Sequence, residues 1–158
     1  MVSKDNIKES LFDTIGWKDR AWSQQLGRAS IELLYQFVEE QVTARRSCVV
    51  ESNFRPDLDS ARFVALRERH SFAPVQVHCS TQGATLALRY KQRAESGQRH
   101  PGHCDQGILE PSLVHGPQEP LSIGGAVIEV DTTDFSAVNY EILFQDIERL
   151  LLNQTQAP

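Results

Sequence analysis

The sequence lacks the features that mark membrane and secreted proteins. No run comes near the roughly eighteen apolar residues of a membrane-spanning helix, and charged residues are spread through the first twenty positions, so we expect neither a membrane span nor a signal peptide. The three cysteines are an odd number and form no C-x-x-C pair, which argues against a disulfide framework. We therefore expect a cytoplasmic protein with reduced cysteines and no membrane partner.

Lysine is also scarce, and its positions exclude one widespread motif. The lysines are Lys4, Lys8, Lys18 and Lys91. None follows a glycine, so the sequence contains no G-x-x-x-x-G-K-S/T loop, which binds nucleotide phosphates through backbone N–H groups and its lysine. The segment from Gly97 to Gly102 has the glycine spacing of that loop, but it continues with His103 and follows a predicted helix.

Composition and charge indicate one globular domain. The chain has 158 residues, of which 40% are hydrophobic and 23% charged, and a domain of this size buries about 70% of its unfolded surface. The net charge of -5 argues against broad nucleic-acid binding, although a local basic site remains open. We expect a single domain over residues 1–152 and a flexible polar tail at 153–158.

Hydrophobic periodicity predicts alternating helices and strands. Apolar residues recur at steps of three and four from Arg20 to Thr43, which predicts a long helix. Shorter helices are predicted after Ser3, from Pro56 to His70, from Ser80 to Gly97, from Cys104 to His115, and from Thr132 to about Leu152. Apolar runs predict strands at Cys48–Glu51, Pro74–Cys79 and Ala126–Asp131, the first of them covered on both faces. This alternation is typical of an α/β fold with a parallel sheet flanked by helices.

Each predicted strand ends in polar residues, at the edge where parallel sheets bind ligands. Helix caps are polar as well, so this pattern alone leaves a ligand site and a structural role both open. A basic segment from Arg89 to Arg99 is harder to explain in an acidic protein. Arg89 and Arg93 are one helical turn apart, so both can bind one multiply charged anion such as phosphate. The alternative is a solvated helix end whose cations interact with the helix dipole.

Four segments together carry a family resemblance. They are Ser3–Glu9, Val49–Phe54, Val77–Cys79 and Leu88–His103, and the last ends in His-Pro-Gly-His. They resemble P-loop kinase-like AAA family ATPases, in the group of zeta toxin, chloramphenicol phosphotransferase and polynucleotide kinase. The resemblance extends from Met1 to about Leu152, and a lid at about residues 86–105 is its most specific part. It implies a P-loop NTPase-like three-layer sandwich that transfers the γ-phosphoryl group of ATP to a small-molecule hydroxyl, with ATP and magnesium as cofactors.

The resemblance also implies roles for individual residues. Asp5 accepts the proton of the attacking hydroxyl, and Glu51 faces magnesium and its waters. Arg89, Arg93 and Arg99 are lid cations that neutralise charge on the transferring phosphoryl group. The substrate side is lined by Arg20, Arg28, Asn53 and Arg55. Each role has a structural alternative: Asp5 extends a helix cap, Glu51 pairs with a helix arginine, and Arg20 and Arg28 face solvent.

The absent phosphate loop is the main departure from the family pattern. We expect the sequence to begin just downstream of the family's first strand and loop, roughly 20 to 30 residues. By itself this chain is then expected to bind ATP weakly and to be inactive, either as part of a kinase or as a catalytically dead binding module. The family's first strand lies between the strands Cys48–Glu51 and Pro74–Cys79, so we expect these two to close on each other or a second copy to cover the gap, giving a homo-oligomer.

A metal centre is not predicted. His100, His103 and Cys104 crowd three donors into five loop residues without a C-x-x-C partner, which is weak evidence for zinc.

Overall fold

The computed structural model describes residues 1–104 and 119–155. Its strands are β1 (Val2–Ser3), β2 (Val50–Glu51), β3 (Val75–Ser80) and β4 (Ala126–Asp131). Its helices are α1 (Lys4–Ile15), α2 (Arg20–Thr43), α3 (Pro56–His70), α4 (Gly83–Glu95) and α5 (Tyr140–Thr155), with short 3-10 turns at Pro101–His103 and Phe135–Ala137. Apart from Cys104, the predicted helix Cys104–His115 lies outside the described residues. Of the predicted tail, residues 153–155 lie in α5 and 156–158 are outside the described residues.

The described strands form two parallel two-stranded sheets, β1 with β2 and β3 with β4. In the first, Val2 pairs with Val50 and Ser3 with Glu51. In the second, the register runs from the pair Val75 and Ala126 to the pair Ser80 and Asp131. Parallel sheets flanked by helices confirm the predicted α/β class. Among the described strands, β2 and β3 belong to different sheets, and the expected closure of these two strands stays a prediction.

The chain divides into two compact units. The first contains residues 1–53 and 89–104, and the second contains residues 54–88 and 119–155. The helix α4 contributes its first six residues to the second unit and the rest to the first. The prediction of a single domain over residues 1–152 stays a prediction.

The first unit is built on α1 and α2. Both helices begin as local capping rules require, because Ser3 accepts a hydrogen bond from the N–H of Asp5, and Asp19 from that of Trp22. The long helix has the bounds predicted from periodicity. Phe12 is 1% exposed, and α2 buries its apolar stripe: Leu26, Leu34, Tyr35 and Val38. This packing fixes α1, which also carries the site described below.

The strand β2 corrects one prediction. It comprises only Val50 and Glu51, and Val49, expected inside a strand covered on both faces, is 62% exposed. An uninterrupted apolar run indicates a strand but does not reveal what covers it, and within the described residues β2 pairs with β1 alone.

The second unit contains α3 and the β3–β4 sheet. Asp59 in the first turn of α3 accepts a hydrogen bond from the N–H of Arg55 (2.6 Å), and Phe63 and Leu66 are buried. The amide of Gln76 on β3 exchanges two hydrogen bonds with the backbone of Leu121, both 2.9 Å.

Two helix starts in the second unit differ from prediction. α4 begins at Gly83 rather than directly after Ser80, and α5 begins at Tyr140. Asp134, which lies within the range predicted for the last helix, caps the 3-10 turn at Phe135–Ala137. Polar caps follow one another closely in this part of the chain, and the sequence does not indicate which of them starts the long helix. Among the described helices, none combines the length and the apolar character needed to cross a bilayer.

Candidate active site

Ser3 joins the sheet of the first unit to the start of α1. Its buried hydroxyl accepts a hydrogen bond from the N–H of Asp5 (3.2 Å) and donates one to Oε2 of Glu51 on β2 (2.7 Å). One hydroxyl therefore caps the helix and orients the Glu51 carboxylate at the carboxyl end of both strands. The positive end of the α1 dipole lies at the same place and favours negative charge there.

An acidic stripe of Asp5, Glu9 and Asp13 runs along one face of α1, because these residues are spaced four apart. Each carboxylate contacts one guanidinium or imidazole group from the C-terminal end of the predicted lid. Arg99 lies 3.5 Å from Asp5, His103 lies 2.9 Å from Glu9, and His100 lies 3.2 Å from Asp13. Like charges four residues apart repel, so these partners offset a cost that the stripe would otherwise carry.

The His-Pro-Gly-His loop, residues 100–103, is shaped to reach this stripe. Pro101 starts a 3-10 turn, and Nδ1 of His100 accepts a hydrogen bond from the N–H of Gly102 (3.0 Å). A Cβ on Gly102 would lie 2.7 Å from the Phe12 ring, so only glycine permits this approach. The His100 ring stacks on Phe12 at 5.0 Å, and the His103 ring meets it edge-on at 5.5 Å.

The two ring nitrogens of His103 have different partners. Nδ1 lies 3.0 Å from Nη2 of Arg99, and a guanidinium can only donate, so Nδ1 accepts. Nε2 therefore carries the proton and donates to Oε1 of Glu9. Burial lowers the pKa of His103 below its ordinary value, although the hydrogen bond to Glu9 opposes this. The geometry and the burial both favour neutral imidazole.

Two of the predicted lid arginines, Arg93 and Arg99, line a cavity of about 400 Å³. The guanidinium carbon of Arg93 lies 5.6 Å from the ring centre of Tyr90. The other lining residues are Gln92, Ser96 and Gln98. Two guanidinium groups on one cavity can bind a phosphate-sized polyanion. The resemblance implied Arg89, Arg93 and Arg99 as lid cations, and in the structure Arg93 and Arg99 line the same cavity while Arg89 is not part of its lining.

The remaining predicted site residues have fewer described contacts with Asp5, Glu51 and the predicted lid. Oδ1 of Asn53 accepts a hydrogen bond from Nζ of Lys4 (3.3 Å). Arg20 and Arg28 are exposed on α2, and no described contact joins them to Asp5 or Glu51. Arg55, in the second unit, forms an ion pair with Asp57 (2.6 Å).

Glu51 is the candidate magnesium contact of this site. Within residues 1–104 and 119–155, no three His, Cys, Asp or Glu side chains meet as a metal site. Magnesium bound to a nucleotide commonly takes only one or two carboxylates and completes its shell with phosphate oxygens and water. Glu51 fits that requirement, because its carboxylate is exposed and one oxygen is fixed by Ser3. The suggested zinc donors His100 and His103 contact carboxylates on α1 instead.

Sequence reasoning missed Glu9 and Asp13, although the four-residue spacing of three acids on α1 was visible. Their partners could not be inferred in the same way, since Glu9 and His103 are 94 residues apart.

Comparison with known proteins places this site within a shared region. A family model described as AAA domain matches residues 1–107, which include the acidic stripe, Glu51 and the lid arginines. A crystal structure described as a "putative kinase" from Chloroflexus aurantiacus is 37% identical, with a TM-score of 0.87. The similarity covers 94% of this chain and 82% of that chain. No curated protein gives a significant match.

Proposed function

The chain belongs to the AAA domain family and has a P-loop kinase-like fold, and from this premise we propose that it is part of an ATP-dependent phosphotransferase. The reaction moves the γ-phosphoryl group of ATP to a hydroxyl of a small-molecule substrate. The single observation that supports this best is the pair of Asp5 and Arg99, a carboxylate and a guanidinium 3.5 Å apart beside the arginine-lined cavity. Within the family, the His-Pro-Gly-His loop supports the group of zeta toxin and chloramphenicol phosphotransferase. The three free cysteines support a reducing, cytoplasmic setting.

Asp5 is the proposed proton acceptor. Its side chain is 44% exposed, so a substrate hydroxyl can reach it from solvent. As the hydroxyl oxygen bonds to phosphorus, its proton passes to the Asp5 carboxylate, and the bond from phosphorus to the leaving oxygen of ADP breaks.

The lid arginines are the proposed charge stabilisers. Arg93 and Arg99 can bind the phosphoryl oxygens through charge-assisted hydrogen bonds, with Arg89 one turn before Arg93 on α4 as a third cation. Because Arg99 lies next to Asp5, it also links the phosphate side of the site to the proton acceptor. We assign the substrate side to Arg20, Arg28, Asn53 and Arg55 by family resemblance alone.

Glu51 is the proposed contact to magnesium, held through waters. Bound ATP supplies the phosphoryl group, and its magnesium neutralises the phosphate charge. Glu51 would orient that ion with its carboxylate, which is already held by the hydrogen bond from Ser3.

A catalytically inactive binding module is the second candidate. The sequence contains no G-x-x-x-x-G-K-S/T loop, and that loop supplies most of the N–H groups that bind nucleotide phosphates. We propose that this chain by itself binds ATP weakly and transfers no phosphoryl group above background.

Two measurements separate the candidates. Calorimetric titration with magnesium ATP is expected to show weak or no binding by the chain alone. A variant with a kinase-like strand and phosphate loop joined ahead of Met1 is expected to bind ATP and to turn over.

In that joined variant, Asp5→Asn should lower turnover by roughly 100- to 10,000-fold, the range for loss of a general base. Asp13→Asn on the same stripe is the matched control and should retain most activity. Binding restored without any turnover supports the inactive module, whereas turnover unaffected by Asp5→Asn contradicts the role of Asp5.

A further inference from the structure

His103, near the end of the predicted lid, contacts α1 and α2, and its side chain is only 3% exposed. The charged groups that face it are Asp5, Lys8 and Glu9 from α1 and Arg99 from the lid. From α2, the hydroxyl of Ser23 donates to the backbone oxygen of His103 (3.3 Å) and accepts from Lys8 (2.9 Å). Both the ring and the backbone of His103 are therefore held in place.

Arg99 is held from two sides through one nitrogen. Its Nη2 lies 3.0 Å from Nδ1 of His103 and 3.5 Å from Oδ2 of Asp5. The first of these contacts exists only while Nδ1 has no proton, since a protonated Nδ1 would direct one N–H at another. In the neutral ring Glu9 selects this tautomer, because its carboxylate accepts a hydrogen bond from the N–H of Nε2.

We propose that neutral His103 is a positioning residue that directs Arg99 toward Asp5 and toward an anion in the cavity of Arg93 and Arg99, and that proton uptake at Nδ1 releases Arg99. Glu9 selects the required tautomer. This rests on the proposed function, because it assigns Arg99 to anion binding. It adds a pH-dependent element to that site, with weaker anion binding in acid.

The burial of His103 favours the neutral ring that the proposal requires. It lowers the pKa of His103, so the neutral form that holds Arg99 predominates at neutral pH. Acid then introduces a positive ring next to a guanidinium, which repels it.

Two substitutions separate the two contacts of the ring. His103→Asn keeps an acceptor near the position of Nδ1 and removes the contact to Glu9. His103→Gln keeps a donor near the position of Nε2 and removes the acceptor for Arg99. Neither side chain titrates, and they are similar in size and polarity, so each serves as the control for the other.

The test is nuclear magnetic resonance on the whole chain between pH 7.5 and 5.0. In the wild type without added anion, we expect imidazole ¹⁵N shifts of the Nε2–H tautomer and a slowly exchanging Arg99 guanidinium signal that is lost on acidification. The guanidinium signal should persist in His103→Asn and be absent in His103→Gln. An Nδ1–H tautomer, or an Arg99 signal that does not respond to His103 titration, would overturn the proposal. The wild-type titration decides this even where a variant fails to fold.

Sulfate titrations test the consequence for anion binding, because sulfate does not change protonation over this range. The wild type should lose about tenfold in sulfate affinity from pH 7.5 to 5.0, as expected for one charge-assisted contact. His103→Gln should bind weakly at both pH values, and His103→Asn should show no such loss. Equal affinity of all three proteins would contradict the proposal. If none of the three proteins binds sulfate while the Arg99 signal still depends on His103, the anion-binding part of the proposal is wrong. The positioning of Arg99 by His103 would then stand without it.

Discussion

At the residue scale, Gly102 has no room for a side chain. The structure leaves no space for a Cβ there, since the Phe12 ring carbons would lie 2.7 to 2.9 Å from it. Phe12 is 1% exposed and cannot turn away without disturbing the packing of α1 on α2. The loop therefore reaches the acidic stripe only because residue 102 has no Cβ.

We predict that Gly102→Ala destabilises the first unit by about 1–3 kcal/mol, the usual cost of overpacking a core. Gly27→Ala is the matched control. Its Cβ would meet only the flexible end of Lys8 at 3.7 Å, and alanine in a helix gains up to about 1 kcal/mol over glycine. Urea denaturation of both variants measures the difference, and a neutral Gly102→Ala would mean that the loop does not pack on Phe12.

His103 gives a pH dependence whose sign follows from burial. Its pKa is lowered in the folded protein, so between the lowered value and the ordinary value near 6.5 the unfolded chain binds more protons. Stability contributed by neutral His103 is then complete above about pH 6.5 and is lost as the pH falls below it.

We predict that the free energy of unfolding falls on acidification from pH 7.5 to 5.0 more steeply in the wild type than in His103→Gln. The excess slope has a ceiling of about 1.4 kcal/mol per pH unit for one proton. Urea melts at four pH values provide the comparison. Parallel curves for the two proteins would show that His103 titrates alike in the folded and unfolded chains.

At the scale of elements, the sequence predicts best where many residues repeat one signal. The bounds of α2 follow from its apolar period, and those of β4 follow from the apolar run at Ala126–Asp131. The start of α5 was misjudged because several polar caps compete before it. The contact of Glu9 with His103 depends on how distant segments pack, and no local pattern encodes that.

The helix α4 contains Arg89 and Arg93, two of the three predicted lid cations. If its arginines bind one anion, pyrophosphate should protect residues 86–103 from limited proteolysis, and the double substitution Arg89→Ala with Arg93→Ala should remove most of that protection. Lys91→Ala is the control, because Lys91 pairs with Glu95 at 3.9 Å and lies outside the cavity lining. Equal protection of all three proteins would identify these cations as a solvated helix end.

At the scale of the whole molecule, the parallel α/β class was predictable because helices and strands alternate. The sequence did not reveal that the described strands pair two by two. Such short sheets leave backbone groups on their outer strands open to pairing with another chain. Apolar residues also remain exposed on β3, β4 and α5: Val77, Val127, Ile142, Phe144 and Leu152.

We predict that the chain self-associates, with an average mass that rises with concentration in sedimentation experiments and a thermal midpoint that rises with it. Replacing Phe144, which is 60% exposed on α5, with Ser should reduce association if that surface takes part. Leu58→Ser on α3, 56% exposed, is the comparison for an isolated apolar side chain. A monomer at every concentration with one sharp melting transition would contradict this prediction.

The attachment of the His-Pro-Gly-His loop to α1 has a consequence for the order of folding. The Lys8–Ser23 contact between α1 and α2 closes 15 residues, whereas the Glu9–His103 contact closes 94. Loop-closure entropy makes the second about 1.6 kcal/mol more costly to form first. We therefore expect the helical hairpin to form in the folding transition state and the loop to dock after it. Gly102→Ala should then speed unfolding and leave the refolding rate nearly unchanged, and stopped-flow measurements in which it slows refolding instead would reverse that order.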